Sequence, residues 1–329
     1  MTSDTLDHQS EWRALVQFRA FRNTDPPQLA EVWRSQTAHR GLMQPMSVAV
    51  LERFVFSKPI FDRQGLIVAV DGDRVVGFVH AGFGPAPDQC TLSTELGVTC
   101  ALMFRPETEP ATVAGLLAES EQFLRSRESQ VLFGGGNYPL SPFYYGLYGG
   151  SELSGVLDTD ARTQAVFREH GYREDKRSRV LQRDLATFRP LVDRHQMQIR
   201  RHTTFETAVD PATTTWWDAC IYEPFDRTQF LLRPREGGTP VATVNFWSME
   251  TMTGAWGVHA VGLVGLQVTA QRQRQGLAKY LLGEAFRHLH NQGFAMAEVH
   301  VAQENAAALA LFCSLGFEQV DQSVLYRKD

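Results

Sequence analysis

The sequence predicts an α/β fold in which one strand-and-helix plan is used twice. Three observations predict it. Short alternating strands interleave with amphipathic helices along the whole chain. The two halves of the 329 residues open, turn and close on matching segments. One nearly continuous apolar run, Val258 to Val268, suits a central strand buried on both faces. At roughly 100–200 residues per domain, this length favours two domains, each able to bury its own core.

The elements follow in order. Val16-Gln17-Phe18-Arg19 opens the first copy as a strand, and Met197-Gln198-Ile199-Arg200 opens the second. Each leads to a helix announced by Asp-Pro: Asp25-Pro26 before Leu29 and Trp33, Asp210-Pro211 before Trp216 and Trp217. A hairpin comes next, turning at Asp71-Gly72-Asp73 in the first copy and at Glu236-Gly237-Gly238 in the second. Both copies close with a helix ending on glycine, Phe167 to Gly171 and Phe312 to Gly316, followed by a last strand.

The openings lie farther apart than the closings, so the first copy carries extra residues. Much of the excess falls in the Gly/Tyr/Pro-rich stretch 134–155, which reads either as a packed surface loop or as a pocket wall or interdomain contact. Phe188-Arg189-Pro190 interrupts any regular pattern and places a linker at 187–196, between domains 1–186 and 197–329.

Composition narrows the function. Hydrophobic residues are 43% and charged residues 21%, ordinary values for a globular chain. The net charge of −5 argues against nucleic acid as a partner. No apolar run approaches the roughly 20 residues that span a bilayer, and the acidic start, Met1 to Trp12, has no signal-peptide pattern. Cys90, Cys100, Cys220 and Cys313 form no CxxC pair. That usage points to reduced cytoplasmic thiols and away from a metal site.

The chemistry gathers after the Val258–Val268 strand. From Gln271 to Lys279 there are three cations and no acid, and an apolar-faced helix follows. Strand, small-residue basic loop and helix start form an anion site, because the first N–H groups of a helix lack partners and its dipole favours negative charge. Gly276 and Ala278 leave room for a diphosphate at the backbone. A solvated basic turn is the plain alternative. The spacing fits neither a nucleotide P-loop nor a dinucleotide fingerprint.

Gln273-Arg274-Gln275-Gly276-Leu277-Ala278 resembles the pyrophosphate loop Q/R-x-x-G-x-G/A of the GNAT superfamily of acetyltransferases. Asn305, Ala308, Leu311-Phe312 and Gly316-Phe317 resemble its second signature. The resemblance is clear over 198–327 and weak over the first 186 residues, where it rests on the repeat. The whole resembles the tandem-GNAT arrangement of mycothiol-synthase type, with a mixed, mostly antiparallel sheet flanked by helices in each domain.

The resemblance implies direct acetyl transfer from acetyl-CoA to an amine, on a small molecule or a peptide. It implies that Leu266, Gln267 and Val268 polarise the thioester carbonyl. Arg272, Gln273, Arg274, Gln275, Gly276, Leu277, Ala278 and Lys279 would hold the diphosphate, with Asn305, Ala308 and Phe312 along the cofactor. Asn305 also reads as a plain helix N-cap. Arg274→Glu or Gly276→Asp should then abolish binding with the fold intact.

A lysine-like amine at pH 7 carries a protonation handicap of some 4–5 kcal/mol, so a base matters. His259, His300 and Glu250 are candidate bases. Where many family members have an acidic Tyr this chain has Phe312, which leaves Cys313, water or a residue from elsewhere as proton donor. In the first copy the equivalent segment, Arg105 to Pro110, has two acids, two prolines and no glycine pair, so one cofactor site is expected, in the second half. A non-catalytic acyl-CoA-binding module is the competing reading, and a tRNA-dependent transferase a third that the acidic charge disfavours. Oligomeric state has no signal.

Overall fold

The structure is a computed structural model that describes residues 16–189 and 193–329. Met1 to Trp12 and Pro190 lie outside the described residues. The first half runs β1 (Gln17–Ala20), α1 (Pro26–Arg34), α2 (Val48–Leu51), β2 (Leu66–Asp71), β3 (Arg74–Pro85), β4 (Leu92–Phe104) and α3 (Pro110–Ser126). It ends with β5 (Val131–Gly134), β6 (Val156–Leu157), α4 (Ala161–Glu169) and β7 (Arg173–Asp184). The second half runs α5 (Arg194–His202), β8 (Thr203–Val209), α6 (Trp216–Tyr222), β9 (Arg227–Pro234), β10 (Ala242–Ser248), α7 (Thr253–Trp256) and β11 (Ala260–Val268). It closes with α8 (Leu277–Asn291), β12 (Met296–Ala302), α9 (Ala306–Ser314) and β13 (Glu318–Lys328).

The two halves share one sheet, ordered β1-β2-β3-β4-β5-β13-β7-β12-β11-β10-β9-β8. Their last strands are exchanged. β13, from the end of the chain, lies against β5 of the first half, and β7 of the first half lies against β12 of the second. Most neighbours are antiparallel, but β4–β5 and β11–β12 are parallel and each pairs over four residues. Beyond Thr99/Gly134 and beyond Leu263/Val299 the strands diverge. In the first half the chain 135–155 fills that gap: Gly135 N bonds Thr99 O at 3.0 Å, and Leu153 packs beside Gly136.

Three expectations need correction. Met197–Arg200 is helical. Asp193 caps α5 by accepting from Gln196 N at 2.8 Å, and Gln196 and Ile199 are buried three residues apart. Four residues of alternation cannot separate a period of two from one of 3.6; the opening strand is β8. The run ending at Val268 is buried on both faces over Ala260–Leu263, whereas its second half alternates toward solvent. The stretch 134–155 is no surface loop. Phe143, Tyr144, Tyr145 and Leu147 are at most 2% exposed. Tyr145 packs on Trp247 at 4.9 Å and on Tyr222 at 5.3 Å, and Trp217 Nε1 donates to Pro139 O at 2.7 Å. This aromatic core joins the halves. No helix among the described residues is long and apolar enough to cross a membrane.

Candidate active site

The loop before α8 is shaped by backbone handedness. Arg274 (φ 61°) and Gly276 (φ 69°) are both left-handed, with Gln275 between them. Such a path turns N–H groups toward one side, a concavity that binds anions. The N–H groups of Arg274 to Lys279 meet no acceptor among the described residues. His195, from α5, buttresses the loop, its Nε2 donating to Gln275 O at 3.1 Å. A Cβ on Gly276 would come within 2.8 Å of that nitrogen. Gly276→Asp is therefore strained by its φ and by a clash, and does not leave the fold untouched as the sequence led us to expect.

Beside the loop, β11 carries a bulge. The β10–β11 register shifts between Thr243 and Asn245, and Gly265 sits there at φ 63°. Backbone at Gly265 and Leu266 thus leaves the β10 ladder where β12 has already diverged. On the far side of the divergence, Asn305 caps α9, its Oδ1 accepting from Ala308 N at 3.1 Å. Phe312 is buried against Phe317, ring centroids 5.1 Å apart.

The first half lacks the equivalent donors. Arg105 is tied to Val75 O at 3.0 Å and Glu31 at 3.1 Å, and the N–H groups of Thr112 and Val113 are taken by Glu109 O. α3 begins on Pro110, which has no N–H.

A cavity of about 460 Å³ is lined by residues of both halves. Tyr138 and Glu152 come from the stretch 134–155; Asp218 and Tyr222 come from α6, Arg227 and Gln229 from β9, Asn245 and Trp247 from β10, Gly265 and Gln267 from β11. Tyr138 OH donates to Asp218 at 3.2 Å, and burial with that carboxylate beside it pushes the phenol up to about 12. Gln229 Nε2 donates to Asn245 Oδ1 at 3.0 Å. Burial raises the Glu152 carboxyl above the usual carboxylate range, with His300 partly opposing.

Of the candidate bases, His300 is buried behind this wall. Its Nδ1 meets Ser154 Oγ at 2.7 Å and its Nε2 lies 3.7 Å from Glu298. Glu298, fully buried, accepts from Arg40, from Gln182 Nε2 at 2.8 Å and from Ser151 N at 2.7 Å. Burial alone would raise its carboxyl, but His300 and Arg40 hold it at about 2. His259 and Glu250 are exposed near the start of β11, and Cys313 is exposed on α9; none of the three lines the cavity.

Glu152, Asp218, Tyr138 and His195 were not singled out from the sequence. Glu152 had a signal: it is the one charged residue between Gly134 and Gly155.

Residues 195–317 match the model of the acetyltransferase (GNAT) family. That segment is similar to the GNAT acetyltransferases. A mycothiol acetyltransferase of Kocuria rhizophila is 33% identical over 104 residues, 31% of this chain and 34% of that protein. One of Segniliparus rotundus is 46% identical over 52 residues, 16% of this chain and 20% of that protein. The matched region thus spans about a third of one curated relative and a fifth of the other.

Among solved structures, the glucosamine N-acetyltransferase region of a fungal multi-domain β-N-acetylglucosaminidase superposes with TM-score 0.69, at 16% identity, over 96% of this chain and 38% of that one. A tandem GNAT protein from the clavulanic acid biosynthesis pathway gives 0.64 at 13% identity, over 95% and 98%. Over nearly its whole length the chain therefore shares its fold with these two structures.

Proposed function

We propose that this chain is an N-acetyltransferase that moves the acetyl group of acetyl-CoA to the amine of a small polar acceptor, and that both substrates meet at the GNAT domain. The observation that carries the reading is the loop at α8, where a left-handed turn leaves a row of N–H groups without acceptors among the described residues, beside Arg272, Arg274 and Lys279. These donors fit the diphosphate of coenzyme A. The bulge at Gly265 leaves backbone donors near Leu266 for the thioester carbonyl, where charge develops during transfer.

The cavity suits the acceptor. Its carboxylates Glu152 and Asp218 favour a cation such as an ammonium, and its amide and hydroxyl groups suit polar substituents. The relatives' names agree in kind, since both curated proteins are acetyltransferases and a structural relative acts on an amino sugar. Phe312 cannot donate a proton, and the CoA thiol, with a pKa near 8.5 by analogy with cysteine, costs only about 2 kcal/mol to release unassisted at pH 7.

The test is thermal stabilisation by acetyl-CoA. Wild type should be stabilised, and Arg274→Glu should lose about tenfold or more in affinity through reversed charge at the helix start, with its melting temperature alone unchanged. Equal stabilisation of both proteins would refute the placement. Turnover is read with D-glucosamine, spermidine, L-cysteine methyl ester and a lysine peptide as acceptors.

A further inference from the structure

We infer that Glu152, carried by the first half, takes the proton from the acceptor amine in the cavity of the GNAT domain. The inference rests on the acetyl transfer proposed above and assigns its base to the half that has no cofactor loop.

Four observations converge on this residue. It lines the cavity, which is also lined by Gly265 and Gln267 of the bulged strand. It has no hydrogen-bond partner among the described residues, whereas the cavity's other carboxylate, Asp218, already accepts from Tyr138 OH. Its backbone is held from both halves: Ser151 O accepts from Tyr145 OH at 2.9 Å and from Trp247 Nε1 at 3.1 Å. On the same flank Ser151 N is anchored on Glu298, and on the other flank Tyr138 N bonds Leu153 O at 2.9 Å. A base must be pre-placed to within a fraction of an ångström to be effective, and this carboxylate is carried on a clamped turn.

Burial raises the affinity of Glu152 for a proton, which brings it closer to the working pH of a general base. The groups that face it are His300 from β12, Asp218 and Tyr222 from α6, Arg227 from β9, and Tyr138 and Tyr145 from its own stretch.

The ammonium form of the acceptor gives one proton to the Glu152 carboxylate. The neutral nitrogen forms a bond to the thioester carbonyl carbon. The C–S bond then breaks, the second nitrogen proton passes to the departing thiolate, and Glu152 releases its proton to solvent. Products are the N-acetylated amine, coenzyme A and one proton.

The experiment compares wild type, Glu152→Gln and Glu152→Asp with the four amines above. Glu152→Gln should lower kcat by about 10²–10⁴-fold while the KM for acetyl-CoA and the stabilisation by acetyl-CoA stay unchanged. The ascending limb of the wild-type pH profile should disappear, and Glu152→Asp should recover part of the rate. Glu152→Gln turning over within threefold of wild type, with the same pH profile, overturns the assignment while leaving the acetyl-transfer reading intact. Wild type that binds acetyl-CoA but acetylates none of the four amines overturns both. Wild type that acetyl-CoA does not stabilise points instead to failure at the α8 loop.

Discussion

Lys58 shows how much a single buried charge can report. It is 7% exposed, and its ammonium donates to Cys220 O of α6. Burial pulls its pKa down to about 8, with Cys220 and Glu223 opposing, against 10.5 in the unfolded chain. Between those values the unfolded state holds more protons than the folded one. The burial penalty is therefore fully present below pH 8 and fades as pH rises toward 10.5, by about 3 kcal/mol in all. Lys58→Met keeps the aliphatic stem and removes the titration. Urea unfolding at pH 7, 8 and 9 should show wild type gaining on the variant as pH rises. A constant difference would show that the ammonium is solvated.

At the same scale, the loop before α8 stood out in the sequence because glycine and clustered cations are local signals. Glu152 was not. A lone acid in an aromatic stretch acquires meaning when Trp247 and Gly265, distant in sequence, are brought beside it.

Among the elements, the exchanged strands matter most. β13 supplies the neighbour that β5 needs, and β7 fills the matching place beside β12. Val324, 0% exposed, sits in β13 opposite Val156 of the first half. Val324→Asp would bury a carboxylate there and should cost more than about 3 kcal/mol. The first half should melt with the second, not after it. A fragment of residues 1–189 should likewise fail to give a folded monomer, since β5 and β7 would each present an open apolar edge; one sharp unfolding transition from that fragment would contradict the exchange. The sequence located both closing strands. It could not say which half each would join, because Arg179-Val180-Leu181 and Ser323-Val324-Leu325 offer the same alternating pattern. The α5 helix was misread for a related reason, four residues being too few to fix a period.

For the whole molecule, the Arg40–Glu298–His300 cluster ties the halves together, Arg40 coming from the first half and Glu298 and His300 from β12. Glu298 is held well below its unfolded value, so its contribution is present above about pH 4.5 and is lost as pH falls toward 2. Arg40→Met strands that carboxylate in the interior and should cost about 3–5 kcal/mol at pH 7, with a shallower acid limb than wild type. Urea and acid titrations followed by tryptophan fluorescence would read both effects. An unchanged midpoint would mean that Gln182 and Ser151 suffice.

By itself the chain's order of residues determined that the fold is built twice, that it is α/β, and where the proposed anion-binding loop starts. Those properties are written in periodicity, glycine placement and charge over a few neighbouring positions. Tertiary structure alone decided the strand exchange, the burial of the stretch 134–155 and the cavity that both halves line. These depend on contacts between residues far apart in the chain, 78 positions for Pro139 and Trp217 and 80 for Tyr138 and Asp218, and no local pattern specifies which of several compatible partners a buried surface will meet.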